Sequence, residues 1–205
     1  MNTVGAVLAA GASRRLGSPK QLLQLPNGSS LVRQSAQRLC ASRVRRSAVI
    51  VGGPSAERVA ESLAGLPLDV VPSENPDEGI AASIRAAAYW AGRMQADALL
   101  LCVCDQPSLS TTHLDTLLEA TGQPPRLVAS RYAGRRAVPA VFPARYLAEL
   151  ANLHGDVGAA GILRAAAQIT LVEWPEGELD VDTPLDWQRY RALESPSAEH
   201  PGEST

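Results

Sequence analysis

The sequence predicts an α/β fold in which a mostly parallel β-sheet is covered by helices on both faces. Short apolar runs alternate with segments whose apolar residues recur at helical spacing almost to the C-terminus. With 205 residues, 45% of them hydrophobic, the chain is long enough for one domain with a sizeable core. No internal repeat or linker divides it, so we expect one domain over residues 1–193. Residues 194–205 are rich in Ser, Pro, Glu and Gly and predict a disordered polar tail.

The first part of the chain supplies the parallel strands and the helices that connect them. Ser30 and Ser55 stand where they can cap the first two helices. An Ala-rich segment predicts the third helix, and a turn at Gln106-Pro107 precedes the fourth. The predicted strands are 4–8, 47–51, 68–71 and 98–103, and the predicted helices are 30–41, 55–64, 79–91 and 110–120.

The second part begins with a small antiparallel insertion. Strands are predicted at 127–132 and 138–142, with Gly134, Arg135 and Arg136 forming a basic tip between them. A final helix begins near Pro184, where Thr183 can cap it. Between the insertion and this helix, the pattern predicts helices at 143–150 and 157–167 and a strand at 169–173.

Composition and charge exclude several classes of partner and location. The net charge of −2 argues against a broad nucleic-acid surface, and no apolar run is long enough to span a bilayer. The first residues lack the basic and long apolar segments of a secretory signal. The three cysteines do not form a disulfide framework. We therefore expect a cytoplasmic protein that binds neither nucleic acid nor membrane.

The loop after the first strand has the properties of a phosphate-binding loop. Gly11 and the small neighbours Ala10 and Ala12 allow the backbone N–H groups to approach phosphate oxygens closely. Arg15 offers a planar fork of donors, and Lys20 offers a compact positive charge. The loop matches neither the dinucleotide-binding nor the P-loop pattern of glycines.

Two acidic segments could hold a divalent cation. Asp105 ends an apolar strand, where a carboxylate can hold a hard cation against phosphates. Asp180 and Asp182 lie on the same side of an extended segment that opens the last helix. A turn or helix-capping role is the alternative for Asp105, and a helix-capping role is the alternative for Asp182.

A third segment, residues 75–84, places Gly79 at the start of a helix and Ser83 one turn further on. The free N–H groups and positive dipole of a helix N-terminus favour an anionic or carbonyl group. The alternative is that Gly79 and Ser83 serve only to start a tightly packed helix.

These motifs resemble those of the MobA-like nucleotidyltransferases, in particular the molybdenum cofactor cytidylyltransferase branch. The family signature reads Leu-Ala-Ala-Gly-x-Ser-x-Arg-Met-Gly-x-x-Lys, and Leu16 stands here in place of Met. Asp105-Gln-Pro, Asp180-Val-Asp-Thr-Pro and the segment from Asn75 to Ile84 are similar to three further family motifs. The signature residues that match are Leu8, Ala9, Ala10, Gly11, Ser13, Arg15, Gly17 and Lys20.

The resemblance implies a single-domain, Rossmann-like three-layer α/β/α nucleotidyltransferase fold. It implies Mg²⁺-dependent transfer of CMP from CTP to the phosphate of molybdopterin cofactor, with release of pyrophosphate and delivery of the product to a molybdoenzyme. Arg15, Lys20 and Asp105 would be catalytic, and Asp105 and Asp182 would hold the metal. The implied nucleotide-binding residues are Leu8, Ala9, Ala10, Gly11, Ala12, Ser13, Asn75, Gly79 and Ser83.

The acceptor half departs from the family pattern. Ala137-Val138-Pro139 replaces Gly-His-Pro, and Ala160 stands where the Gly-Asp-x-Gly-Ala-Arg element has Arg. Arg135, Arg136 and Arg164 lie nearby in the sequence and could compensate. Guanylyl transfer, transfer to a sugar phosphate and a non-catalytic molybdopterin-binding chaperone therefore remain alternatives, although Ala10 favours the cytidylyl branch.

Overall fold

The computed structural model describes residues 1–13 and 16–194, and it confirms the predicted alternation of strands and helices. Short 3₁₀ turns also occur among the described residues. One lies in the connection between the first strand and the first helix, and each of three others precedes a later helix. The strands are β1 (Thr3–Leu8), β2 (Arg46–Val51), β3 (Asp69–Pro72), β4 (Ala98–Val103), β5 (Val128–Tyr132), β6 (Arg135–Pro143) and β7 (Thr170–Glu173). The helices are α1 (Leu31–Cys40), α2 (Ala56–Ser62), α3 (Ile80–Arg93), α4 (Thr111–Thr121), α5 (Leu147–Ala151), α6 (Ala160–Ala165) and α7 (Pro184–Glu194).

All seven strands form one sheet in the order β3-β2-β1-β4-β6-β5-β7. The first four strands in the chain are parallel to one another. β6 pairs antiparallel with both β4 and β5, and β5 pairs parallel with β7. The sheet is therefore mostly parallel with one reversed strand, as the sequence predicts.

Two apolar layers cover the sheet, because alternate side chains of each buried strand point to opposite faces. On one face, Leu99 and Leu101 of β4 pack with α3, α5 and α6. On the other face, Leu100 and Cys102 pack with α1, α2 and α4. This arrangement confirms the three-layer α/β/α architecture.

Several element boundaries differ from the predicted ones. Ser30 and Ser110 accept hydrogen bonds from the third residue of their helices, but Ser55 makes no such bond to α2. α6 covers only the middle of the predicted helix 157–167. The hairpin turn lies at Ala133-Gly134, both with positive φ, so both arginines of the predicted tip belong to β6.

The last helix begins as predicted and is capped reciprocally. Thr183 Oγ1 accepts from Asp186 N at 3.2 Å, and Asp186 Oδ2 accepts from Thr183 N at 2.8 Å. This exchange is a capping box that fixes the entry into α7. The predicted polar tail lies, from residue 195 onward, outside the described residues.

The parallel strands β1 to β4 end at the same edge of the sheet, so the segments that follow them converge there. β6 runs in the opposite direction, which brings the β5–β6 hairpin to this edge as well. None of the described helices has both the length and the apolar character needed to cross a membrane.

Candidate active site

A cavity of about 400 Å³ opens at the carboxyl edge of the parallel strands. Its walls come from the loop after β1, the segment that starts α3 and the end of β4. Asp156 and Asp182 reach it from the second half of the chain. The lining residues are Leu8, Ala9, Ala10, Gly11, Ala12, Ser13, Lys20, Gln21, Pro76, Asp77, Gly79, Ile80, Ser83, Val103, Cys104, Asp105, Asp156 and Asp182.

The ammonium group of Lys20 bridges two carboxylates at this cavity. Lys20 Nζ lies 2.5 Å from Asp105 Oδ2 and 2.8 Å from Asp182 Oδ1. Burial by itself would lower the pKa of Lys20, but the charge and hydrogen bonds of the two aspartates outweigh it and raise that pKa. Lys20 therefore stays protonated at neutral pH and compensates the negative charge of the pair.

A main-chain hydrogen bond brings the two aspartates together. Val181 N donates to Asp105 O at 2.8 Å, which joins the segment before α7 to the end of β4. The Val181 side chain is fully buried among Leu25, Leu31 and Tyr190. This anchor turns the neighbouring Asp182 toward the cavity, although the two aspartates are far apart in the sequence.

Asp180 occupies a different environment from Asp182. Its burial, followed by the charge of Asp105, raises the pKa of the Asp180 carboxyl group to about 6, and the nearby Gln106 side chain partly offsets this rise. Asp180 is not among the described residues that line the cavity. Its neighbour Asp182 is therefore the one that can act with Asp105.

The aspartate pair fits a divalent cation of the Mg²⁺ type. Asp105 Oδ1 is buried and has no hydrogen-bond partner within the described part of the chain, so it is available as a ligand. Carboxylate oxygens are the hard donors that such a cation prefers. The described residues contain no group of three or more potential metal ligands, so phosphate and water oxygens would complete the coordination.

The opposite wall is built by the segment that begins α3. Ser83 is buried on α3, and Gly79 has φ 121°, a value that favours glycine. A Cβ at Gly79 would lie 2.6 Å from Gly155 O and 2.4 Å from Asp156 Oδ1. Glycine is therefore needed here because the segment that carries Asp156 packs directly against it.

An ion pair fixes that segment in place. Arg85 donates to both carboxylate oxygens of Glu78, at 2.7 and 2.5 Å, and to Leu153 O at 2.9 Å. Glu78 Oε1 also accepts from Gly155 N at 3.1 Å. The hydrogen bonds from Arg85 and then from Gly155 lower the pKa of Glu78 to about 2. Glu78 and Arg85 thus clamp the segment 153–156 onto the start of α3.

The basic residues of the hairpin have separate roles. Arg136 Nη1 donates to Leu163 O at 3.0 Å and to Ala166 O at 3.2 Å, at the C-terminal end of α6. Arg136 is therefore engaged in holding α6 on the sheet. The guanidinium of Arg135 lies 5.5 Å from the centre of the Tyr132 ring, and its charge offsets a small part of the rise in the pKa of Asp180. Arg135 is the hairpin cation that faces the acidic edge.

The structure brings most of the predicted site residues to one cavity. Asn75 comes directly before the segment that forms one wall of the cavity, and it is not among the described residues that line the cavity. Arg15 lies outside the described residues. The lining residues that the predicted site set lacked are Gln21, Pro76, Asp77, Ile80, Val103, Cys104 and Asp156. Asp156 lies in the altered Gly-Asp-x-Gly-Ala element, and this motif could have indicated it as a site residue. Nothing in the sequence indicated Gln21 apart from its position next to Lys20.

Comparison with known proteins identifies a domain family and several relatives. The family model for the MobA-like NTP transferase domain matches residues 5–170. Purine catabolism protein PucB of Bacillus subtilis is 28% identical over 201 residues, covering 92% of this chain and 95% of that protein. Nicotine blue oxidoreductase of Paenarthrobacter nicotinovorans is 30% identical over 202 residues, with the same coverage of 92% and 95%. A probable molybdenum cofactor guanylyltransferase of Synechococcus elongatus is 33% identical over 116 residues, which is 56% of each chain.

Solved structures show the same fold. Rv0371c of Mycobacterium tuberculosis superposes with a TM-score of 0.80 at 29% identity, covering 94% of this chain and 98% of that one. A complex of Rv0371C with manganese superposes with a TM-score of 0.76 at 26% identity, covering 94% and 99%. A nucleotidyl transferase from a Methanothermobacter species has a TM-score of 0.78 at 23% identity over 93% and 96% of the two chains, and shares the fold.

Proposed function

The chain belongs to the MobA-like NTP transferase domain family, and from this premise we propose that it is a divalent-metal-dependent nucleotidyltransferase. In its specific form, the proposal is transfer of CMP from CTP to the phosphate of molybdopterin cofactor, with Mg²⁺ as the metal and pyrophosphate as the second product. The observation that carries it is the pair Asp105 and Asp182, held together on Lys20 at the edge of the cavity.

Nucleotidyl transfer needs charge neutralisation and alignment more than proton transfer. The acceptor phosphate is already ionised at neutral pH, so attack on the α-phosphate of the triphosphate needs no general base. In agreement, neither of the two described histidines, His113 and His154, lines the cavity. His113 is buried and stacked on Trp174 with ring centroids 4.6 Å apart.

Each part of the cavity has a role in this proposal. Asp105 and Asp182 would hold the divalent cation, which supplies charge neutralisation for the triphosphate oxygens when bound. Lys20, displaced from between the carboxylates, would bind the triphosphate and stabilise the departing pyrophosphate. Arg15 would act on the same oxygens. The backbone of residues 8–13, with Gly79 and Ser83, would hold the base and ribose.

A solved relative also supports the proposed type of metal ion. A relative with 26% identity has been solved with manganese, an ion that takes the same hard oxygen ligands as Mg²⁺. The two carboxylates of this chain fit either ion.

The choice of base involves Ala10. A Cβ placed on Gly52 would lie 2.9 Å from Ala10 Cβ, so the Ala10 methyl group faces the loop after β2. We propose that Ala10 favours cytosine because the cytidylyl branch that this loop resembles has Ala at this position. Guanylyl transfer, the name given to the Synechococcus relative, is the alternative that this residue argues against.

The acceptor is proposed to be a phosphorylated small molecule that approaches past Arg135. The β5–β6 hairpin places this exposed guanidinium at the carboxyl edge of the sheet, where it can pair with a phosphate. Arg136 is engaged by α6 and does not substitute for the missing family His and Arg. A molybdoenzyme would receive the dinucleotide product.

The test is pyrophosphate release with Mg²⁺, comparing CTP, GTP, ATP and UTP, each with and without molybdopterin cofactor. We expect release with CTP only when the cofactor is present. Asp105→Asn should abolish it, whereas Asp115→Asn on α4 should leave it unchanged because the amide still accepts from Arg43 N. Turnover with GTP or a sugar phosphate would select those alternatives. Cofactor binding without turnover of any nucleotide would select the chaperone.

A further inference from the structure

We propose that Gln21 is a positioning residue that gives the loop after β1 its ligand-binding shape. This inference rests on the proposed nucleotide-binding function of the cavity. Gln21 is 2% exposed and follows Lys20 in the same short 3₁₀ turn, Lys20–Leu22. Its amide nitrogen Nε2 donates to Ala9 O at 3.0 Å and to Gly11 O at 2.6 Å. One side chain therefore binds two carbonyl groups of the loop.

Holding these two carbonyls determines where the neighbouring amides point. A trans peptide unit is planar, and its C=O and N–H groups point in opposite directions. The carbonyls of Ala9 and Gly11 face Gln21, so the N–H groups of Ala10 and Ala12 face away from it. Neither N–H group has an acceptor within the described residues. Two free donors are thus held in a fixed direction beside the cavity.

Residues 11–13 of the loop have little support from packing. Gly11, Ala12 and Ser13 line the main cavity on one side and a second cavity of about 310 Å³ on the other. A Cβ at Gly11 would meet no atom within 4 Å. Because packing does not fix residues 11–13, their conformation depends on hydrogen bonds, and the Gln21 side chain makes three with the loop, two as donor and one as acceptor.

The same glutamine links the loop to Lys20. Ser13, in a left-handed conformation with φ 51°, donates from Oγ to Gln21 Oε1 at 3.2 Å. Ser13 Oγ in turn accepts from Lys20 N at 3.0 Å. The loop carbonyls, Gln21, Ser13 and the main chain of Lys20 thus form one hydrogen-bonded unit. Loss of Gln21 should therefore weaken nucleotide binding.

The experiment measures CTP binding by titration calorimetry with the wild type and with Gln21→Met, which keeps the side-chain length but removes the donor. We expect the Kd for CTP to rise about tenfold or more, because the three hydrogen bonds between the Gln21 amide and the loop are lost. The matched control is Gln34→Met, since Gln34 is also buried but donates to Pro107 O, outside the loop. The control should bind CTP like the wild type.

Two further readouts separate positioning from general damage. In steady-state assays with molybdopterin cofactor, Gln21→Met should raise the KM for CTP and leave the KM for the acceptor unchanged. In the ¹⁵N-labelled wild type, CTP should shift the amide resonances of Ala10 and Ala12, and this measurement needs no variant.

The outcomes distinguish this inference from the proposed function. Wild-type affinity in Gln21→Met, or unshifted Ala10 and Ala12 amides on CTP binding, would overturn the role of Gln21 while the proposed function stands. A wild type that binds none of the four nucleoside triphosphates would overturn the proposed function, and this inference with it.

Discussion

Gly52, which follows β2, should be intolerant of even one added methyl group. A Cβ at this position would lie 2.9 Å from Ala10 Cβ and 2.9 Å from Pro76 Cβ. Both atoms are attached directly to the backbone, so neither can move aside by a side-chain rotation. Ala10 belongs to the loop after β1, and Pro76 belongs to the opposite wall of the cavity. The substitution Gly52→Ala would therefore push two walls of the site apart.

The expected cost follows from these two contacts. Overpacking of a well-packed site by extra carbon atoms lowers the free energy of unfolding by about 1–3 kcal/mol. Two contacts on rigid atoms place Gly52→Ala in the upper part of that range. CTP affinity should fall too, because the nucleotide-binding loop is displaced. Urea unfolding and CTP titration measure the two effects.

A second substitution makes the test specific. Ala10→Gly removes one of the two contacting methyl groups, so the double variant should regain part of the stability lost in Gly52→Ala. A double-mutant cycle should give a favourable coupling of about 0.5–3 kcal/mol between the two sites. The matched control is Gly92→Ala in α3, where a Cβ would meet nothing within 4 Å. That variant should be as stable as the wild type or up to about 1 kcal/mol more stable.

If Gly52→Ala unfolded at the same urea concentration as the wild type, the two close contacts would not carry the expected cost. If Ala10→Gly and Gly52→Ala acted additively, the two methyl groups would not be in contact.

Two further predictions concern the buried histidine and the Glu78–Arg85 clamp. Burial lowers the pKa of His113 from 6.5 to about 4, so the unfolded chain binds a proton in this range that the folded protein does not. The free energy of unfolding of the wild type should therefore fall by roughly 1–3 kcal/mol as the pH falls from 6.5 toward 4. That of His113→Gln should fall less. Equal losses of the two proteins in urea unfolding would contradict this. For the clamp, Glu78→Ala should speed hydrogen exchange at Gly155 N–H, since Glu78 accepts its hydrogen bond. Glu74→Ala, at an exposed neighbouring position, should leave that exchange rate unchanged, and an unchanged rate in Glu78→Ala as well would argue against the clamp.

Much of the fold follows from local patterns. The strands of the parallel sheet are short apolar runs bounded by polar turns. Helices cover both faces of such a sheet, so nearly every side chain of a strand must be apolar. Ser30, Ser110 and Thr183 cap their helices through bonds to residues three positions away, so their role could be predicted from the local sequence. Ser55 and the ends of α6 were less predictable, because propensity alone does not decide where a short helix begins.

The residues of the candidate site that could be predicted are those that lie in motifs shared with the family. Asp105 and Asp182 both occur in such motifs, but their approach depends on the bond from Val181 N to Asp105 O. The roles of Gln21 and of the Glu78–Arg85 pair depend on carbonyl and amide groups that sequence spacing does not bring together.

The fold class, the family and most of the residues around the cavity could be predicted from the sequence, because periodicity and motif spacing are properties of neighbouring positions. Which polar groups bind one another became evident only in the folded chain. The tertiary structure placed Lys20 between two distant aspartates, assigned Arg136 to α6 and left Arg135 at the acidic edge. These contacts depend on backbone direction and strand register across the sheet. Hydrogen bonds between remote segments exist only once the chain has folded.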